Sequence, residues 1–241
     1  MLRFLRKTYA TFMFYLLAYA LTAVGAILGC LAALVNWKSF IRVGCVVWAN
    51  LLFWILGRHA RVTGREHKVT GKAYLVVANH SSLYDIPALM AAVPGIAIMG
   101  RAYLLRIPLF GRLLKILHYV PIDTGSARSA REALSRAAQE IRAGVSVGIF
   151  AEGTRTRTGR VQQLKRGFVA VLRESASDLL PVSIKGTYTL RRKGSLVMDP
   201  REPIRICIGA PFAFADLAGM RDEEIMRTVK NRLQEMGDNQ A

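Results

Sequence analysis

Ala73-Tyr74-Leu75-Val76-Val77-Ala78-Asn79-His80-Ser81-Ser82-Leu83-Tyr84-Asp85 holds the transition on which the chain turns. Residues 73–78 are an apolar run of strand length and read as a buried strand. The run exits into a polar stretch where a histidine is followed five positions later by an aspartate. Imidazole titrates near neutral pH and can take a proton from a hydroxyl. An aspartate bonded to one ring nitrogen fixes the tautomer and leaves the other nitrogen free as a base. His80 with Asp85 is therefore a candidate general base with its orienting carboxylate. The nucleophile would be a substrate hydroxyl rather than a residue of the chain. A strand-end histidine that bonds only to backbone fits the same spacing.

A second apolar run, Val145 to Phe150, leads into Ala151-Glu152-Gly153-Thr154-Arg155-Thr156-Arg157. Gly153 allows close approach of the backbone to a ligand. Arg155 offers a planar fork suited to phosphate oxygens. An exposed turn with solvated arginines is the plainer alternative.

In this order the two blocks resemble the glycerolipid acyltransferase family, specifically the 1-acylglycerol-3-phosphate acyltransferases of bacterial membranes. That family carries an Asn-His-x4-Asp block, matched by Asn79 to Asp85. Its second block is nearest to Val120-Pro121-Ile122-Asp123-Thr124, and its Pro-Glu-Gly-Thr-Arg block to Ala151 to Arg155. Its short hydrophobic block around a proline is matched by Leu180-Pro181-Val182-Ser183-Ile184. Ile107-Pro108-Leu109-Phe110-Gly111 looks like the family's linker before the second block. The likeness covers residues 60 to 210. Three positions depart from the pattern: Thr124 stands where arginine is usual, Ala151 replaces the proline, and Leu164-Lys165 replaces Phe-Lys. Arg128 or Arg131, in the next helix, is the expected source of the missing cation. Arg101 falls where the family has a lysine, so a cation is kept there.

The resemblance implies transfer of a fatty acyl group from a thioester, acyl-CoA or acyl carrier protein, to the sn-2 hydroxyl of 1-acylglycerol-3-phosphate, giving phosphatidic acid. His80 and Asp85 would be catalytic. Arg101, Glu152, Gly153, Thr154 and Arg155 would bind substrate, with a bracing role for Glu152 equally open. Another lysolipid or glycerol-3-phosphate as acceptor would use the same base. A non-catalytic protein that binds anionic lipid would leave the His80–Asp85 pair idle.

The chain has 241 residues, 52% of them hydrophobic, and a formal charge of +18, with a mean hydropathy of +0.27. Apolar and basic together point to an anionic membrane surface as partner. Nucleic acid is the rival explanation of the charge, but no nucleic-acid motif is present and the basic residues are spread along the chain. Three cysteines without zinc-like spacing predict free thiols. The scattered histidines, His59, His67, His80 and His118, predict neither metal nor cofactor.

Phe12 to Val35 is an apolar run of about 24 positions, long enough to cross a bilayer as a helix. Val43 to Leu56 has about 14, nearer a re-entrant segment. Arg3, Arg6 and Lys7 precede the first run, and Arg58, Arg61, Arg65 and Lys68 follow the second. Both ends are therefore expected on the cytoplasmic side of a bacterial inner membrane. Lys38 and Arg42 between the runs resist translocation. The pair either dips into one leaflet, the favoured reading, or crosses twice. Two core helices of a soluble domain are the third alternative. Trp37, Trp48 and Trp54 suit interfacial depth.

Beyond residue 60, strands and helices alternate. Strands are expected at 73–79, 96–100, 118–122, 145–150, 180–185 and 204–209. Helices are expected from a capping box at Ser129 and Glu132 to a stop at Gly144, over Gly167 to Glu174, and over Asp222 to Met236. A frayed tail is expected from Gly237. The expected architecture is α/β: a mixed central sheet flanked by helices over 59–241, carrying a two-helix membrane hairpin over 1–58.

Overall fold

The structure is a computed structural model that describes residues 2–123 and 125–239. Thr124, the tail residues Gln240 and Ala241, and the side chains of Arg3, Arg6 and Lys7 lie outside the described residues. The chain opens with α1 (Leu2–Leu34) and α2 (Lys38–Ile55). There follow β1 (Ala60–Thr63), β2 (Leu75–Ala78), α3 (Asp85–Ala92), β3 (Ala97–Arg101), α4 (Phe110–Ile116), β4 (Val120–Ile122), α5 (Ala127–Arg142) and β5 (Val147–Phe150). α6 (Gly167–Ser175), β6 (Leu179–Lys185), α7 (Thr187–Leu190), β7 (Ile204–Ile208), α8 (Phe214–Ala218) and α9 (Asp222–Asp238) complete it.

The strands form one 7-stranded sheet in the order β1-β7-β6-β2-β5-β3-β4. Every neighbouring pair is parallel except β6 and β7. The sheet is thus mixed and flanked by helices, as its alternating pattern implies. β2 and β5 lie at its centre. From β2 the chain moves outward through α3 to β3, and from β5 it crosses back through α6 to β6. Such a reversal opens a crevice at the carboxyl ends of the central strands, where ligands of open α/β sheets bind.

Side-chain alternation sorts the strand residues between two cores. Leu75 and Val77 of β2 face a cluster with Ala133, Ala137 and Ile141 of α5, Phe168 and Leu172 of α6, and Ile225, Val229 and Leu233 of α9. Val76 and Ala78 face the other side, with Ala88, Leu89 and Ala92 of α3. Both faces are covered, so β2 reads as a continuous apolar run rather than an alternating one.

The second core also takes Phe14 of α1 and Phe53 of α2. Phe53 is fully buried, with Ala49 and Leu52 beside it. Much of the rest of the hairpin is apolar and uncovered: Phe12, Leu16, Leu17, Leu28, Leu31, Val43, Val47 and Trp54 are all exposed. That exposure rules out two core helices of a soluble fold. Both helices are long and apolar enough to cross a membrane, and α1, with 33 residues, is about 50 Å long. The chain therefore presents a membrane-associating apolar surface. Yet α1 meets the α/β unit twice, at Thr11 and Tyr15, which bond Met198 and Leu196, and at Gly29 and Cys30, beside Leu113 and Leu109. These places are roughly 25 Å apart along the helix, so α1 lies along the α/β unit instead of pointing away from it.

Several sequence expectations need correction. β1 is an additional edge strand, parallel to β7. Its Ala-Arg-Val-Thr pattern alternates only weakly buried and exposed positions, and its arginine reads as flanking charge. The N-cap of α5 is Ser126, whose hydroxyl accepts from Ser129 N at 3.2 Å; Ser129 therefore lies inside the helix. Glu132 pairs instead with Arg128. Gly144 does end α5, with φ +89°. The C-terminal helix continues through Gly237 to Asp238, so the first two residues of the expected tail are helical. The three cysteines are free.

Truncating Phe53 to alanine is expected to cost about 3–5 kcal/mol through the cavity it leaves. In detergent the melting temperature should fall on the order of 10 °C. Truncating the neighbouring, exposed Trp54 should leave it nearly unchanged.

Candidate active site

Asp85 is the first residue of α3 and is wholly inaccessible to solvent. Burying a carboxylate is costly unless hydrogen bonds replace its water. Here the loop between β2 and α3 wraps around it. Ser81 N donates to Asp85 Oδ2 at 2.6 Å and Ser82 N at 2.8 Å. The Thr187 hydroxyl donates to Oδ1. His80 Nδ1 lies 2.8 Å from Oδ2. The spacing between histidine and aspartate has a physical reason: the intervening residues form the turn that brings two backbone N–H groups and one imidazole onto the same oxygen.

His80 leaves the end of β2 with its ring stacked on Phe150, at a centroid distance of 4.1 Å and an interplanar angle of 19°. Its side chain is 15% exposed. With Nδ1 committed to Asp85, Nε2 is the nitrogen left to act. The backbone of His80 is clamped on both sides by the second loop. Its N–H donates to Glu152 Oε1 at 2.8 Å, and its carbonyl accepts from Thr156 N at 2.8 Å.

Glu152 follows β5, beside β2 in the sheet. By sequence it is grouped with the substrate-binding residues; in the fold it is a brace. It is 2% exposed, and its second oxygen accepts from Gln162 N at 3.1 Å and Gln162 Nε2 at 2.8 Å. Both oxygens are engaged by the chain itself. Gly153 has φ +70°, with Lys165 packed 3.3 Å from where a Cβ would sit. Its requirement is therefore the left-handed turn. Thr154 is exposed, and its hydroxyl accepts from Lys193 Nζ at 2.7 Å. Ala151 and Leu164, two of the departures from the family pattern, are both core residues.

Arg155 is half-buried, one residue before Thr156, whose amide bonds the His80 carbonyl. Burial, together with the charge of Arg191, lowers its pKa from the ordinary arginine value, and the Asp85 carboxylate and Tyr103 act in the opposite direction. Arg101 closes β3, two strands from β2 at the same edge of the sheet, and is exposed. Its carbonyl accepts from the Tyr119 hydroxyl at 3.1 Å. Arg128 is engaged with Glu132 on the outer surface of α5, its side chain 90% exposed, so it does not replace the cation expected at Thr124. Arg131 is likewise exposed on α5.

Other residues build the site without a role assigned to them by the sequence. Thr187 reaches Asp85 because Gly186, at φ +87°, turns the chain sharply after β6, where a Cβ would lie 2.2 Å from the Pro203 carbonyl. Asn79 secures the same region from β2: its side chain donates to Ile184 O at 2.9 Å and accepts from Ile184 N at 2.7 Å. Tyr84, just before Asp85, packs edge-on against Phe14 of α1, with ring centroids 5.9 Å apart. The apolar hairpin therefore reaches the site. Two of the three remaining histidines have structural partners elsewhere: His67 bonds the Ile208 carbonyl and His118 pairs with Glu140. Among the described residues, no group of three or more His, Cys, Asp or Glu could hold a metal ion.

The arrangement provides an oriented imidazole, accessible at one nitrogen, beside a guanidinium and a wall of apolar helix. It suits deprotonation of a hydroxyl carried by an amphiphile with an anionic group.

Comparison with known proteins agrees with this chemistry. The Acyltransferase family model matches residues 59–185. A 1-acyl-sn-glycerol-3-phosphate acyltransferase of Cocos nucifera is 31% identical over 172 residues, covering 70% of this chain and 55% of the relative. One of Borreliella burgdorferi is 31% identical over 151 residues, covering 62% of this chain and 59% of the relative. The chain thus spans little more than half the length of these curated relatives. The crystal structure of the 1-acyl-sn-glycerophosphate (LPA) acyltransferase PlsC from Thermotoga maritima superposes with a TM-score of 0.84 at 26% identity. That match covers 97% of this chain and 95% of the other. With the paired motifs on adjacent strands and the family match spanning more than half its length, the chain belongs to the acyltransferase family.

Proposed function

We propose that this protein transfers a fatty acyl group from an acyl thioester to the sn-2 hydroxyl of 1-acylglycerol-3-phosphate, forming phosphatidic acid for phospholipid synthesis. The observation that carries the reading is the His80–Asp85 pair, 2.8 Å apart, set beside Arg155 at an apolar helix surface. His80 Nε2 takes the proton of the acceptor hydroxyl as its oxygen attacks the thioester carbonyl carbon. The tetrahedral intermediate collapses to an ester, and the departing thiolate recovers the proton from the imidazolium. Asp85 stabilises that cation and keeps Nδ1 protonated. Base assistance of this kind is worth on the order of a hundred- to ten-thousand-fold in rate.

Arg155 and Arg101 bind the acceptor phosphate, Arg155 through its fork. Gly153 and Thr154 shape the loop that carries it, and Glu152 holds that loop to His80. The amides of Ser81, Ser82 and Thr156 are already bonded within the chain, so the oxyanion of the intermediate is received by other donors. Acyl-CoA or acyl carrier protein supplies the thioester, and no metal or redox cofactor takes part.

The acceptor has an acyl chain that resides in a leaflet, and a site flanked by Phe14 and Tyr84 meets it there. The hairpin dips into the cytoplasmic leaflet of the inner membrane, while the positive charge of the α/β unit faces anionic lipid. The double contact of α1 with the α/β unit favours the dip over a perpendicular crossing.

His80→Ala should reduce turnover at least a hundredfold while leaving expression and membrane association intact. Activity retained by purified H80A protein would remove His80 as the base. Arg155→Ala should raise the KM for lysophosphatidate by about 10- to 100-fold and affect the thioester KM little. An unchanged acceptor KM would dissociate Arg155 from the phosphate. For the hairpin, Ser39→Cys in a chain whose native cysteines are replaced should resist an impermeant thiol reagent applied outside intact cells. Labelling from that side would establish a double crossing.

A further inference from the structure

The segment after α7, Arg191-Arg192-Lys193, carries no role so far, yet it joins every part of the site. The Ser82 hydroxyl, within the His80 loop, donates to the Arg191 carbonyl at 2.9 Å. Lys193 Nζ donates to Thr154 Oγ1 at 2.7 Å, within the Arg155 loop. The Arg191 guanidinium lies over the ring of Tyr15 in α1, 5.8 Å from its centroid. Tyr15 is held in turn by its hydroxyl, which donates to the Leu196 carbonyl at 3.0 Å. Arg191 is therefore held by the catalytic loop and the apolar helix, and Lys193, two residues on, ties the same segment to the second loop.

Its own hydrogen bonding is incomplete. Among the described residues, the Arg191 side chain bonds only through Nε, to Ser195 O at 3.1 Å, and forms no ion pair. The planar edge that would grip two oxygens is left over. Its charge lies near enough to Arg155 to oppose that residue's protonation. Two guanidiniums repel each other, and a dianion bound by both would reverse the sign of the interaction.

We propose that Arg191 is a second phosphate-binding residue of the acceptor site, gripping the phosphomonoester of the lysolipid opposite Arg155. The inference rests on the acyl-transfer reading and deepens it. Tyr15 is a positioning residue that aligns the guanidinium from the apolar helix. The site thereby selects a doubly charged headgroup at the end of a chain already lying along α1. A phosphodiester or zwitterionic lysolipid offers fewer charged oxygens to the pair and is disfavoured.

The test compares wild type, Arg191→Ala and Arg191→Lys in detergent micelles, with lysophosphatidate as acceptor and the thioester that wild type accepts. The alanine variant keeps the carbonyl that Ser82 bonds, and its melting temperature reports whether it remains folded. R191A should raise the lysophosphatidate KM by about 10- to 100-fold, leaving kcat and the thioester KM nearly unchanged. R191K should recover only part of the loss, because ammonium restores the charge but not the fork. Independently of turnover, glycerol-3-phosphate should raise the melting temperature of wild type and not of R191A. An acceptor KM unchanged in folded R191A, or a rise confined to the thioester, overturns the assignment. Arg191-dependent stabilisation by glycerol-3-phosphate without acyl transfer by wild type would overturn the acyl-transfer reading alone.

Discussion

The buried carboxylate of Asp85 is the constraint around which this protein is arranged. A desolvated carboxylate is tolerated only when its oxygens are fully engaged. The donors come from separate parts of the chain: two amides and an imidazole from the loop after β2, and a hydroxyl from the turn after β6. Satisfying that charge closes the loop, orients the histidine and ties β6 to β2 beyond their ladder. Structure and proposed chemistry therefore share one set of bonds. The second loop adds a further layer, because Glu152 and Thr156 hold the His80 backbone while placing Arg155 beside it.

The hairpin is more than an appended anchor. Phe53 completes the core on one face of the sheet, and Phe14 packs against Tyr84 beside Asp85. Tyr15 meets Arg191. The apolar surface that associates with a membrane is thus continuous with the walls of the site. An acceptor with one acyl chain can then present its hydroxyl to His80 without leaving the lipid boundary. The proposed function gives positive charge at that boundary two uses, attraction to anionic lipid and a grip on the headgroup of one lipid molecule.

Legibility from sequence followed the range of the interaction. The apolar strands before His80 and Glu152 were readable because strands covered on both faces have no polar positions to interrupt them. β1 was not: it is a short edge strand with Arg61 and Thr63 facing outward, and its pairing with β7 is remote in the chain. The start of α5 was misplaced by a local pattern, since both Ser126 and Ser129 can cap and only the backbone path selects between them. For Glu152 the sequence leaves bracing and binding equally open, and only the fold brings Gln162 and the His80 backbone to its two oxygens. Arg191 gave no signal at all. Its proximity to Arg155 arises only when β6 lies beside β2 and α1 folds back along the α/β unit.

Sequence by itself determined the α/β alternation, the apolar hairpin and the pairing of His80 with Asp85, because each depends on periodicity or on neighbours within one loop. Tertiary structure alone decided that Thr187 shares the carboxylate, that Glu152 ties the second loop to the His80 backbone, and that an apolar helix reaches the site. The physical reason is that buried charges and hydroxyls choose partners by distance in space, and a folded chain of this topology brings together residues more than a hundred positions apart with no trace of that meeting in either local sequence.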